Sequence, residues 1–414
     1  MLRRKLMAWC AWVLLASSPT LSYATETSQS LTLSEAIERT LAYSPDVKRV
    51  DAALADRYAQ AFETRVLSNP EAEIDASFVD GSTPGRSMEI EQPLRISDFG
   101  SRDDYAEALK RVGNLEKKIE ILRVINATTE LYYDYWLLQE QERYLSTSEA
   151  QVQKVLKQVK RAASRGELAE ADSGIFKAEA LRLTEELRNV RNKRRGLQAT
   201  LLQRLNMAWQ DELTIAEPSL KAVPPSAETI VAFARGNDTI RNVLAARKDA
   251  AKARYEVAGQ DAIMPELAPR FLYERSPDGG EEGVGFGVRL SIPLWNRNEA
   301  EVGRARSQLS LAETELAVFD KVDLENIIKA RHAQALDSQI RAMNYRNDIL
   351  PSYEKSYGLT KRMFDAGQSS ILDLWQVRER INSIQENTLE ALSNSIETRL
   401  ALEEVIGAKL EEIE

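Results

Sequence analysis

The chain is 414 residues long, 43% apolar and 29% charged, with only 18 Gly and 13 Pro; this excludes a disordered or collagen-like chain and favours helix. Acidic residues outnumber basic ones, 64 to 55, the wrong sign for a nucleic-acid binder. A single cysteine and a single histidine leave little material for thiolate or imidazole metal sites.

Taken from the start, Arg3, Arg4 and Lys5 precede an uncharged apolar run from Leu6 to Ala16, and Ser22-Tyr23-Ala24 supplies small residues three and one before a cut. This pattern is a secretory signal peptide over residues 1–24, with cleavage expected after Ala24. Cys10 lies inside the apolar run, and the large Trp9 before it speaks against a lipid-attachment site. The mature chain then carries 52 basic and 64 acidic residues and no thiol. No later stretch offers eighteen consecutive apolar residues, so no transmembrane helix is expected. An exported chain without a helical anchor belongs in the periplasm, outside the cell, or in the outer membrane.

The remainder reads as two copies of one pattern. Thr32-Leu33-Ser34-Glu35-Ala36-Ile37 opens the first, and Ser226-Ala227-Glu228-Thr229-Ile230 the second. Asn69-Pro70-Glu71 is answered by Met264-Pro265-Glu266, and Gln92-Pro93-Leu94 by Ile292-Pro293-Leu294. Gly166-Glu167 is answered by Gly367-Gln368, with Asp172 and Asp373 each six residues past the glycine. A nearly constant offset predicts a duplication, residues 25–218 and 219–414.

Long helical stretches flank a short strand pair in each half. Residues 103–163 form one such stretch; from Glu299 to Leu350 there is no Pro and one Gly, which as a single helix is roughly 75 Å. Pro351 either starts a further segment or kinks this one. Past Gly367, the positions Leu374, Val377, Ile381, Ile384, Thr388, Ala391, Ser395, Thr398 and Leu402 step by three and four as a coiled-coil seam, which Gly407 stops.

Between the helices the period changes to two. In residues 71–94, Ala72, Ile74, Ala76 and Phe78 alternate with Glu71, Glu73, Asp75 and Ser77, and Met88 and Ile90 return beside Glu89 and Glu91. In residues 266–294, Leu267, Phe271 and Tyr273 are followed by Val284, Phe286, Val288, Leu290 and Ile292, which alternate with Gly285, Gly287, Arg289 and Ser291. Strands of about ten residues with one apolar face fit a transmembrane barrel. Four strands cannot close one, and a bilayer tolerates no open edge, so other copies of the chain must complete it.

The duplication, the opening Leu33-Ser34-Glu35-Ala36-Ile37, the Pro-Leu ends of both return strands and the glycine-to-aspartate spacing together resemble the TolC family of outer-membrane efflux proteins. The stretch from Leu350-Pro351-Ser352-Tyr353 to Leu372-Asp373-Leu374 most resembles its CzcC-like heavy-metal branch. The resemblance implies a mainly α chain with a small membrane β-barrel part. Three copies would form an α-barrel tunnel topped by a twelve-stranded barrel, four strands from each chain. It also implies an outer-membrane location, a periplasmic adaptor docked at the tunnel tip, and an inner-membrane pump of the RND type. Many relatives in the metal branch carry a lipid-anchor cysteine that the mature chain lacks. Drug efflux and type I secretion use the same kind of duct and stand as alternatives for the cargo.

By that resemblance, the helix after Gly367 lines a periplasmic constriction where aspartate rings select cations. Asp373 keeps the carboxylate, Gln376 stands where a second acid can occur, and Asp172 is the counterpart in the other half. A plainer reading is that both aspartates favour the first turn of a helix. Gly166 and Gly367 are candidates for tight adaptor-docking turns. Phe271, Tyr273, Phe286 and Trp295 are candidates for an aromatic membrane belt. His332 has no companion ligands in the sequence, and Lys154, Lys157, Lys160, Arg161 and Arg165 read as a solvated helix face. No cofactor is expected. A periplasmic coiled-coil adaptor would share the signal and helices but not two membrane-length hairpins. A secreted enzyme would need a convergent reactive set that one histidine and no mature thiol make poor.

Overall fold

The computed structural model describes residues 30–77, 85–164, 170–209, 213–218, 223–263, 266–276, 281–292, 294–295 and 297–413. The expected signal peptide, Cys10, Gly166 and the tips of both hairpin turns lie outside the described residues.

Each half opens on a capped helix. Helix α1 (Leu33–Tyr43) starts with a reciprocal box: the Glu35 amide donates to Thr32 Oγ1 at 3.2 Å, and the Thr32 amide donates to the Glu35 carboxylate at 2.8 Å. Helix α5 (Ala227–Gly236) is capped by Ser226, whose hydroxyl accepts from the Thr229 amide. Helix α2 (Pro45–Arg65) begins with Pro45 in its first turn, where a missing N–H costs nothing.

The first hairpin, β1 (Glu71–Ser77) and β2 (Gly85–Glu91), leads into α3 (Ser101–Ser164), 64 residues and ~96 Å at 1.5 Å per residue. Helix α4 (Glu170–Arg204) follows, and α6 (Thr239–Ile263) leads from α5 to the second hairpin, β3 (Glu266–Arg275) and β4 (Glu282–Ser291). The four strands form one antiparallel sheet in sequence order. Beyond the hairpins, α2 packs on α3, α3 on α6 and α6 on α7 (Glu299–Lys321), a row whose order matches that of the strands.

The expected single helix from Glu299 to Leu350 is not continuous. Helix α7 ends at Lys321, Val322 turns extended at ψ 128°, and α8 (Leu324–Asn344) restarts with the Asp323 carboxylate accepting from the Asn326 amide at 3.1 Å. One aspartate able to cap is enough to end a helix with no Pro or Gly near the break. A π-helical turn, Tyr345–Ile349, then precedes α9 (Leu350–Asp365), with Leu350 bonded five residues back to the Tyr345 carbonyl. The wider turn precedes Pro351 near the start of α9, where its ring would otherwise meet an α-helical carbonyl.

Helix α10 (Ile371–Ile406) packs on α3, α8 and α9. Of the expected seam, Leu374, Ile381, Ile384, Thr388, Ala391, Ser395 and Leu402 are buried while Val377 and Thr398 are half-buried, and Gly407 closes the helix at φ +70°. Three larger cores stabilise the helices. At mid-length, Tyr132, Tyr135 and Trp136 of α3 meet Leu201 of α4, Leu205 just past its end, Leu213, Ile215, and Leu392 and Ile396 of α10. The Tyr132 hydroxyl donates to the carbonyls of Leu31 and Ala216, tying the parallel bridge between Leu31 and Ile215 to the helices. Burial holds that phenol unionised, with its pKa raised to about 12. A second core joins α3 to α4 through Val152, Leu156, Phe176 and Leu183, and a third gathers Ile230, Ile328, Leu402 and Leu410.

Candidate functional site

The two faces of the sheet differ in kind. In register across the strands, Ile74 pairs with Met88, Met88 with Tyr273, and Tyr273 with Val284. The next row is Ala72, Ile90, Phe271 and Phe286, and then come Pro269 with Val288 and Leu267 with Leu290. These apolar residues point away from the protein: Phe286 is 86% exposed and Ile74 76%. In a water-soluble sheet the apolar face would be the covered one.

The opposite face is polar. Arg270 reaches the Glu89 carboxylate at 3.0 Å, and Arg289 bridges Glu91 at 2.6 Å and Glu89 at 3.2 Å. Gly287 leaves the room for this, because a Cβ there would stand 2.9 Å from Arg270 Nε. Glu71, Glu73, Asp75 and Glu274 share the parity of this face, with Leu272 the large apolar exception. Both outer strands, β1 and β4, carry an unpaired edge among the described residues.

At the far end of the helices, the connection from α9 to α10 closes on itself. Gly367 takes φ +73°, its amide donates to the Phe364 carbonyl, and the Gln368 amide donates to the Met363 carbonyl. That is a Schellman turn, and it needs a residue without a Cβ penalty. Ser370 then caps α10: its hydroxyl accepts from the Asp373 amide at 3.1 Å, while its own amide donates to the Asp373 carboxylate at 2.9 Å. The Ser370 hydroxyl and amide hold the Asp373 carboxyl below the usual carboxylate value. Asp373 is exposed at the tip, as is Gln376 one turn on. Asp172 lies in the first turn of α4, and its side chain is outside the described part.

One residue near the tip carries no signal in the sequence. Arg378 of α10 is only 7% exposed, yet its ion partners among the described residues include no carboxylate. It donates to Gln151 Oε1 and Ser148 Oγ of α3 and lies 5.4 Å from the Tyr357 ring of α9. The Tyr357 hydroxyl donates to the same Gln151 oxygen at 2.8 Å. Burial pulls the Arg378 pKa down from its ordinary value. An arginine beside the seam position Val377 looks like any helix-surface arginine; only the packing of three helices around it shows otherwise.

The other singled-out residues fall in separate places. Phe271 and Phe286 pack edge-to-face at 5.4 Å in the middle of the apolar face, Tyr273 sits one row nearer the hairpin turns, and Trp295 stands 91% exposed past the helix end of the sheet. His332 donates from Nε2 to the Pro225 carbonyl at 2.8 Å, a structural bond on α8. Lys154, Lys157, Lys160 and Arg161 are solvated on α3. Among the described residues no group of three His, Cys, Asp or Glu side chains could hold a metal ion, and no helix is long and apolar enough to cross a membrane.

Residues 241–408 match the family described as outer membrane efflux protein. Solved structures extend the likeness over the whole fold. The outer membrane protein VceC of Vibrio cholerae superposes with a TM-score of 0.72 at 16% identity, over 91% of this chain and 96% of its own. The CmeC outer membrane channel of Campylobacter jejuni gives 0.74 at 15% identity, over 98% and 94%. The open state of the MtrE outer membrane channel of Neisseria gonorrhoeae gives 0.58 at 15% identity, over 91% and 89%. No curated protein matches the chain. The fold is therefore that of these outer membrane channels.

Proposed function

We propose that the chain is one third of a passive outer-membrane efflux duct: a homotrimer whose sheets close a twelve-stranded barrel in lipid and whose helices form a tunnel through the periplasm. The observation that carries this reading is the inside-out sheet. Its apolar side chains are exposed where a soluble protein would bury them, and its edges are open where a bilayer requires closure. Burying each large apolar side chain of that face in lipid is worth about 1.5–3 kcal/mol. The helix row repeats the logic, since α2 and α7 end it as β1 and β4 end the sheet. The matching order of elements in the two halves supports the duplication read from the sequence. The polar face then lines the lumen, and Asp373 and Gln376 stand at the tip as gate candidates, with Asp172 their counterpart.

The partners implied are a periplasmic adaptor, docked around the Gly367 turn and its counterpart at Gly166, and an inner-membrane pump of the RND type. Such a duct moves cargo without reacting with it. Membrane fractionation with mass determination of the detergent-extracted particle tests the reading: an outer-membrane trimer is expected, and a soluble monomer would overturn it. Heavy-metal cations are the proposed cargo, on the resemblance of residues 350–374 to the CzcC-like branch. Deleting the gene should sensitise the cell to zinc, cadmium or cobalt and not to dyes or detergents; the reverse pattern would assign the duct to drug efflux.

A further inference from the structure

The outward face of the sheet ends in a charged row. Ala76, Arg86, Arg275 and Glu282 are successive cross-strand partners, next in register to the row of Ile74, Met88, Tyr273 and Val284. They share the parity of the apolar face and close it at the hairpin end. Arg86 and Arg275 stand directly opposite one another, where like charges repel. Glu282 lies 3.7 Å from Arg275, with both side chains about half exposed, a pairing that contributes little. Arg86 is exposed and makes no ion pair among the described residues. The two arginines of the inner face are arranged differently, for Arg270 and Arg289 each have a carboxylate within 3.0 Å.

Depth gives the outer pair a meaning. Val284 to Ile292, one residue past the end of β4, covers ~27 Å at a rise of about 3.4 Å per residue. A strand tilt of ~40° leaves ~21 Å along the membrane normal, close to the ~25 Å apolar band of membrane barrels. The row of Arg86 and Arg275 therefore falls where hydrocarbon gives way to headgroups, with the Tyr273 ring one row inside it, the depth favoured by amphipathic aromatics. Two guanidinium forks on adjacent strands match the geometry of a phosphate group, and a phosphate between them would remove their mutual repulsion.

We infer that Arg86 and Arg275 form a cross-strand clamp for the phosphate of an anionic lipid headgroup in the leaflet at the hairpin end of the barrel. This rests on the proposed barrel, and each chain of a trimer would carry one clamp. The lipid is held and not chemically altered.

The test is lipid retention by the detergent-extracted particle, read by native mass spectrometry after incubation with phosphatidylglycerol or phosphatidylcholine. The wild-type particle should retain phosphatidylglycerol in preference. Arg86→Gln, which removes no ion pair, should lower that retention about fivefold, and adding Arg275→Gln should lower it about as much again. Arg289→Gln, on the inner face, should leave it unchanged, and millimolar inorganic phosphate should not displace the lipid. Equal retention by wild type and the Arg86→Gln, Arg275→Gln double variant would overturn the clamp. So would displacement by inorganic phosphate, which would make this a site for the free ion. Should the double variant fail to assemble, Arg86→Gln alone decides. If the wild type yields no membrane particle, the duct reading itself falls; if a trimer forms with lipid retention insensitive to these substitutions, only the clamp does.

Discussion

Helix α3 and the segments α7 to α9 both run from a hairpin towards the tip, and both derive from long stretches with almost no Pro or Gly. The first is a single helix that touches α2 and α6 near the sheet and α4 and α10 near the tip. The second is interrupted at Val322–Asp323 and again by the π turn before Pro351. One side of the chain is thus a continuous rod that couples the sheet directly to the tip. The other reaches the α9–α10 pair through two articulations. The contrast teaches that the absence of breakers permits a long helix without dictating one, because a capping carboxylate and a turn of different pitch can each interrupt it.

Proline insertion should separate the two sides most sharply. Glu130→Pro, in the exposed middle of α3, removes a helical hydrogen bond and should cost about 3 kcal/mol or more. Asp323→Pro falls where φ is already −76°, so it should lose mainly the cap, about 1 kcal/mol. The thermal midpoint of the extracted particle reads both, and equal losses would abolish the distinction between rod and articulation. Next in size is Arg378→Met, which leaves Ser148 and Gln151 of the rod short of a buried donor and should cost about 2 kcal/mol. Because Arg378 fastens the articulated pair to α3, planar-bilayer recordings should show more frequent opening of this variant. Arg143→Met, which removes an exposed pair with Glu140, should behave as wild type.

Gly367→Ala sharpens the comparison at the tip alone. The new Cβ meets open space, but φ +73° disfavours it by about 1 kcal/mol, so the loss should appear in protease sensitivity near the turn before it appears in the midpoint. The smallest effect on stability belongs to Asp373→Asn. The folded carboxyl ionises below its ordinary value of 3.8, so its charge and its capping bonds persist until pH falls through that lowered value. Any cation preference carried by Asp373 should therefore be constant between about pH 8 and about pH 4, and Asp373→Asn should reduce it throughout that window. A preference fading around neutral pH would assign it to another group.

Much of this was written in local sequence signals. Thr32 with Glu35 and Ser226 before the α5 run announce helix starts, Gly367 a left-handed turn, and the period-two hairpins a two-faced sheet. Alternation names two faces without saying which one meets the surroundings, since Val284 and Phe286 would read the same packed inwards. Only the register and the exposure decide that. The break at Asp323 was hidden because it depends on one carboxylate among many. Asp373 was legible as a first-turn acid, and Ser370 three residues earlier carries the rest of the box. Arg378 was not legible at all, because its burial is produced by α3 and α9 rather than by its own neighbours in the chain.

For the proposed duct, the inside-out sheet also bears on the time before any barrel closes. A lone chain crossing an aqueous compartment would display an apolar face and two unsatisfied strand edges, the combination that templates aggregation. Neither feature could be hidden within one copy without giving up the face that lipid would cover in the proposed barrel. If the proposed duct is correct, safe passage would call for an escort that occupies the sheet in transit and yields it only where membrane and sister chains arrive together.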